Sequence, residues 1–248
     1  MPPSRPSRAH SACALPVDSE AARATPTDKV IIERYRNDLV DLPRPAALTV
    51  CMRDFYKIDS LARFTDPRLC IYTIGALPVN ATWGTSTLER TLCIKNTECA
   101  LWAIGALDNL SFDTRADCVG CLCVKITLLR ECDRLRLANL ERRTCPKAKD
   151  LRAVQSTMIA SVQMPDPHTV FKHLYDATLG FDVQTKLPTL GVNEFVAGDI
   201  VLAECRFVRT SYDNWATWSV KFEMTGLTLV HPVPRTQHGT QSRYRGGA

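Results

Sequence analysis

From Ala216 to Met224 every second residue is apolar: Ala216, Trp218, Val220, Phe222 and Met224 alternate with Thr217, Ser219, Lys221 and Glu223. Successive side chains of a strand point to opposite faces, so this period of two specifies a half-buried antiparallel strand and is incompatible with a helix. Val201, Ala203, Cys205 and Phe207 share one phase just upstream, with Glu204 and Arg206 on the other, and the polar loop 210–214 joins the two runs. After Gly226 the apolar phase moves to Leu227 and Leu229. A one-residue phase change at a glycine predicts a β-bulge or sharp bend there. Gly198–His231 therefore reads as an antiparallel β unit with one apolar face.

The rest of the chain gives helical expectations. Ile31, Tyr35 and Leu39 recur at i, i+4, i+8 after Thr27, and Pro43 and Pro45 end the run. Leu48–Ile58 and Leu69–Val79 read as short strands or buried segments. Lys125–Arg143 carries Leu128, Cys132 and Leu135 at helical spacing, with Glu131 facing Arg134 and Asp133 facing Arg136. Leu151, Val154, Met158 and Val162 predict another helix. Asp166-Pro167 opens a fourth that runs to Gly180. Phe181–Leu187 and Val192–Val196 are candidate extra strands. Thr82–Cys123 follows neither period for long, and its cysteine cluster also fits retained non-coding sequence. The expected fold class is α+β: helices followed by a small antiparallel β-sheet or partial OB-like barrel, with disordered termini. The expected organisation is a disordered segment 1–26, a poorly defined α/β region 27–145, a helical hairpin plus β unit 146–231, and a disordered basic tail 232–248.

Composition removes several function classes. The chain has 248 residues, enough for one large domain or two small ones. No apolar run approaches the roughly 18–20 residues of a spanning helix, so no membrane role is expected. Neither a secretory apolar region nor a proline-free amphipathic leader is present in residues 1–17. An intracellular location, cytoplasmic or nuclear, follows as the expectation, with the 11 cysteines as reduced thiols. The net charge is +5, yet residues 146–234 hold eight basic and nine acidic residues, and Arg235, Arg243 and Arg245 lie in the tail. The excess sits in the tail and in the middle of the chain, not on the β unit.

Two clusters carry candidate chemistry. Cys118-Val119-Gly120-Cys121 places two thiolates where a tight turn can present them to one zinc, with Cys93, Cys99, Cys132 and Cys145 as the remaining possible ligands. Buried, incidental thiols are the plainer reading. Tyr212 and Trp215, with Arg206, Arg209 and Lys221, form the second cluster. Aromatics with a basic rim suit stacking on single-stranded nucleic acid, whereas Phe207, Trp218 and Phe222 fall on the apolar faces and belong to the core. No Gly-x-Ser-x-Gly, His-Glu-x-x-His or phosphate-loop pattern occurs, so nothing argues positively for an enzyme.

The run Gly198-Asp199-Ile200-Val201-Leu202-Ala203-Glu204-Cys205-Arg206-Phe207, followed by Trp215-Ala216-Thr217-Trp218-Ser219-Val220-Lys221-Phe222-Glu223-Met224, resembles uncharacterised proteins of basidiomycete fungi and the hairpins of small OB-like barrels. The resemblance covers about one-seventh of the chain and carries no functional residues. OB-like folds bind single strands or act as protein adaptors. The leading expectation is thus a non-enzymatic binding or adaptor protein with a protein partner and no cofactor. Single-stranded nucleic-acid binding is the alternative, and an unrecognised enzyme a second one.

Overall fold

The computed structural model describes residues 40–43, 46, 49–113, 120–144, 156–165, 169–182, 184–211 and 217–235. The first expected helix, apart from its last residues, and both terminal segments, apart from 232–235, lie outside the described residues. Two α-helices occur among them, α1 (Met52–Ala62) and α2 (Glu131–Thr144). The strands are β1 (Thr65–Asp66), β2 (Ile71–Thr73), β3 (Thr82–Trp83), β4 (Leu92–Ile94), β5 (Thr97–Glu98), β6 (Ala100–Asp113), β7 (Cys121–Leu128), β8 (Thr157–Gln163), β9 (Leu174–Asp176), β10 (Ile200–Ser211) and β11 (Trp218–His231). The fold is mostly β. This corrects the expected α+β arrangement of helices followed by a small β unit: strands dominate, and the main sheet is large and mixed.

Eight strands form one mixed sheet, and five of them close on themselves. β6 pairs with β10, β10 with β11, β8 with β7 and β7 with β6, all antiparallel, while β11 and β8 pair parallel. The ring leaves none of these five strands with a free edge along its paired length, which removes a common route to aggregation. β1 and β2 extend the sheet beyond β6, and β9 adds to β11. β3, β4 and β5 make a separate antiparallel sheet. Its last hairpin turns on Lys95 and Asn96, both with positive φ, the backbone pattern of a two-residue turn matched to strand twist. The small sheet docks on β10 through the Thr91–Val208 bridge.

The ring interior is the main core. Leu101, Ala103 and Leu107 from β6, Leu122, Val124 and Ile126 from β7, Met158 and Ala160 from β8, and Phe207 and Phe222 all point into it. A second core lies outside the ring, where Trp102, Ile104 and Ala106 of β6 and Ile200 and Leu202 of β10 pack on Ile58, Leu61 and Ala62 of α1. From Leu101 to Leu107 β6 is therefore buried on both faces. A strand in that position reads as a nearly continuous apolar run instead of an alternating one, which explains why Thr82–Cys123 shows no period. That stretch supplies four whole strands and part of a fifth.

The helical expectations after residue 124 need further correction. Residues 125–128 belong to β7, and α2 starts only at Glu131. The described part of the expected 151–162 helix lies in β8, apart from residue 156, with Met158 and Ala160 buried, Ile159 exposed, and Thr157 and Ser161 half-buried. Residues 169–180 are not helical and contain β9. The expected helical hairpin is thus absent among the described residues. Of Leu48–Ile58, expected as a short strand or buried segment, residues 52–58 are helical in α1, and residues 184–186 and 192–194 form single 3₁₀ turns instead of strands. The sheet draws on both sides of the expected boundary at 145/146.

The predicted bulge is present. Glu204 pairs with Gly226 and Cys205 with Met224, so Thr225 is the extra residue. Its hydroxyl donates back to the Glu204 carbonyl at 3.1 Å. Beyond the bulge both faces of β11 are buried, with Leu227 and Leu229 in the ring and Val230 against α1.

Candidate nucleic-acid interface

The outward positions of the ring follow from register. On β7 the side chains of Cys123, Lys125 and Thr127 face away from the core, and on β8 those of Thr157, Ile159 and Ser161 do. Lys125 lies opposite Ile159. Lys221 precedes the Phe222–Ala160 pair, which sets it beside Ile159, and it lies opposite Val208 on β10. The result is a cross-strand row Lys125–Ile159–Lys221. Both lysines are exposed, and Ile159 is 62% exposed between them. The next row runs Cys123–Ser161–Glu223–Arg206.

A groove of about 280 Å³ opens between β8 and β11, lined by the outward Thr157, Ile159, Ser161 and Lys221, by Val220 and the ring-core Phe207 and Phe222, and by Glu141 of α2. Burial pushes the Glu141 carboxyl above the usual carboxylate range. Among the described residues neither Lys125 nor Lys221 has an acidic ion-pair partner. Arg206 does: its Nε lies 2.5 Å from Oε1 of Glu98. An apolar strip between unpaired cations, edged by hydroxyls, can take the base faces and phosphates of an extended chain.

Arg209 does something else. It lies on the inward phase of β10 with Cys205 and Phe207, at the end of the ring. Its guanidinium stands 4.9 Å from the Trp83 ring centroid and 5.2 Å from that of Trp218. Its Nε donates to the Glu89 carbonyl at 2.8 Å. Trp83 stacks on Phe207 at 5.8 Å, and the Trp218 indole donates to the Thr144 carbonyl at 2.6 Å. These groups plug the ring end and tie it to the small sheet and to α2. Desolvation by burial lowers the pKa of Arg209.

Of the five nucleic-acid candidates, the structure puts Arg206 and Lys221 on one outer face and turns Arg209 away from it. Tyr212 and Trp215 lie outside the described residues. Lys125 and Ile159 were missed because their segments read as helical. The signal was there: Leu122, Val124, Ile126 and Leu128 hold a period of two, as do Met158, Ala160 and Val162. Phe207 and Phe222 are core as expected, and Trp218 is half-buried.

Of the proposed zinc pair, Cys118 lies outside the described residues. Cys121 is buried, with its Sγ 3.8 Å from that of Cys123. No group of three or more His, Cys, Asp or Glu residues placed to hold a metal occurs among the described residues. No helix among them is long and apolar enough to cross a membrane.

No protein-family model matches the chain, and no curated protein matches it. Among solved structures, the crystal structure of gp2.5, a single-stranded DNA binding protein encoded by bacteriophage T7, is similar at 12% identity. The match covers 60% of this chain and 97% of that one, with a TM-score of 0.35. A likeness at that level carries no inference about this chain.

Proposed function

We propose that this chain is a non-enzymatic binding protein that holds single-stranded nucleic acid across the outer face of β7, β8 and β11. The observation that carries the reading is the row Lys125–Ile159–Lys221, an exposed apolar side chain between two lysines that have no acidic ion-pair partner among the described residues, on a grooved sheet. Phosphates need cations and unstacked bases need an apolar platform. The ring order supports the same reading. Taken in chain order, the five strands close as first, fourth, fifth, third and second, with the third and fifth parallel. This is the arrangement of an OB-type Greek-key barrel, whose second and third strands and adjoining loops bind oligonucleotides. Tyr212 and Trp215 belong to the segment joining the fourth and fifth strands and are the stacking groups we assign to it.

Burial pushes the Cys205 thiol up, and burial with the neighbouring Cys70 and Cys93 pushes that of Cys99 up to about 12. Neutral thiols used as small core side chains suit a reducing compartment, which supports an intracellular setting.

The test is the anisotropy of a labelled oligothymidylate over a salt series. Wild type should bind at low salt. Lys125→Gln and Lys221→Gln should each weaken binding and each reduce the slope of log affinity against log salt by about 0.7. Trp215→Ala should weaken binding at every salt concentration. Undetectable binding at low salt, or lysine variants indistinguishable from wild type, would refute the reading.

A further inference from the structure

The middle of the chain carries arginines that the proposed interface does not use. On α2 and just before it stand Arg130, Arg134, Arg136, Arg142 and Arg143. Three of them are committed. Arg130 is buried against Asp133 at 3.4 Å, Arg134 donates to the Leu128 carbonyl at 3.2 Å, and Arg142 donates to Oδ1 of Asn139 at 3.2 Å.

Arg136 and Arg143 are seven residues apart, two helical turns, and so share a face. With Asn139 between them they line a cleft of about 270 Å³. Ile74, Leu77 and Leu140 line the same cleft, each buried, and Val79 at its lip is 73% exposed. The acid expected to neutralise Arg136 is Asp133, three residues earlier. It is turned inward instead, where its Oδ1 accepts the Gly75 N–H at 2.6 Å. Glu141 lines the groove on another side of the helix. Two like charges therefore converge on an apolar floor, with no carboxylate of the described residues in the lining. Arg143 also donates to the Val79 carbonyl, which holds it over the cleft. Its pKa is lowered by desolvation and by the charge of Arg136.

We propose that this cleft binds a small organic phosphate. The phosphate sits between the guanidiniums of Arg136 and Arg143, and the apolar body of the ligand lies on Ile74, Leu77 and Leu140. Guanidinium forks match phosphate oxygens in shape, and a doubly charged anion matches two of them in charge. Asn139 completes the donor set. Its Oδ1 is taken by Arg142, which leaves the amide N–H groups to donate. The cavity lies near the lower end of ligand-pocket volumes, roughly 300–1,000 Å³, so the ligand is no larger than a mononucleotide. This site is separate from the single-strand face and stands if that reading falls.

The probes are adenosine monophosphate, adenosine and inorganic phosphate, each titrated into the full chain by calorimetry and by amide chemical shifts. Adenosine monophosphate should saturate and bind at least roughly tenfold more tightly than either fragment. Arg136→Gln, an exposed substitution that leaves the core intact, should weaken it roughly ten- to hundredfold, the loss expected of one charged hydrogen-bonding group. Arg143→Lys keeps the charge and should weaken it less than Arg143→Gln. Arg53→Gln, on α1, controls for net charge and should have no effect. The proposal is overturned by equal affinity for adenosine monophosphate and either fragment, by unchanged affinity in Arg136→Gln, or by no saturable binding at millimolar probe.

Discussion

Arg209 stacks over Trp83, with its guanidinium carbon 4.9 Å from the ring centroid, and this contact joins the small sheet to the end of the ring. Arg209→Ala removes the cation–π contacts and the hydrogen bond to the Glu89 carbonyl. It should cost about 1–3 kcal/mol of stability, measured by urea denaturation. The slope of single-strand affinity against salt should not change, because this guanidinium does not face the ligand. A reduced slope would return Arg209 to the phosphate contacts.

Asp133 ties α2 to the turn that follows β2. It accepts the Gly75 N–H and lies against Arg130 in the interior. Asp133→Ala removes the carboxylate beside the buried Arg130 guanidinium, which keeps the Ala62 carbonyl and Cys132 Sγ as acceptors, and takes from the Gly75 N–H its acceptor. A loss of about 3–5 kcal/mol is expected, seen as a lower urea midpoint with the slope unchanged. A loss below about 1 kcal/mol would mean that the Ala62 carbonyl and Cys132 Sγ suffice to hold the Arg130 guanidinium without the carboxylate.

At Gly105 of β6 the backbone of β7 comes too close for a side chain. A Cβ there would stand 2.5 Å from the Thr127 carbonyl oxygen. Gly105→Ala must part the two strands and should destabilise by about 1–3 kcal/mol. Gly180→Ala, where a Cβ meets nothing within 4 Å, is the control and should change the melting temperature little.

Glu141 gives a pH prediction. Its pKa is raised by burial, so between the ordinary glutamate value and the raised one the native state holds a proton that the unfolded chain has released. Stability falls as pH rises through that window. Glu141→Gln should therefore be more stable than wild type at neutral pH and equal to it in acid below the ordinary glutamate range. The same substitution removes a negative charge from the groove and should tighten single-strand binding at neutral pH. Thermal melts and anisotropy over a pH series read both.

Legibility followed burial. β10 and β11 could be read because β11 keeps one face out of the core up to Met224, so Lys221 and Glu223 alternate with Phe222 and Met224. The same segment yielded the bulge, since a phase change survives in the sequence whatever surrounds it. The first half of β6, Leu101 to Leu107, was unreadable because both of its faces are covered, one by the ring and one by α1. β7 and β8 were misread for a different reason. Leu128, Cys132 and Leu135 hold helical spacing across the true junction of a strand and a helix, and this masked the alternation from Leu122 to Leu128. The candidate interface suffered accordingly. Lys221 was found on a legible strand, Lys125 and Ile159 were lost with theirs, and Arg209 was taken for a surface group because parity alone does not show which end of a ring it plugs.

The parallel seam between β8 and β11 sets an order of events during folding. β11 is the last of the described strands in the chain and also the one that joins β10 to β8 and receives β9. Until it arrives, β8 and β10 each present an unsatisfied hydrogen-bonding edge, and β7 and β6 hold together only as an open ribbon. A nascent chain on the ribosome is in that condition until residues 218–231 have emerged. Closing a seam between segments some sixty residues apart then costs loop entropy before any contact repays it. Synthesis stalled or cut short before β11 should leave sticky fragments instead of a smaller stable domain.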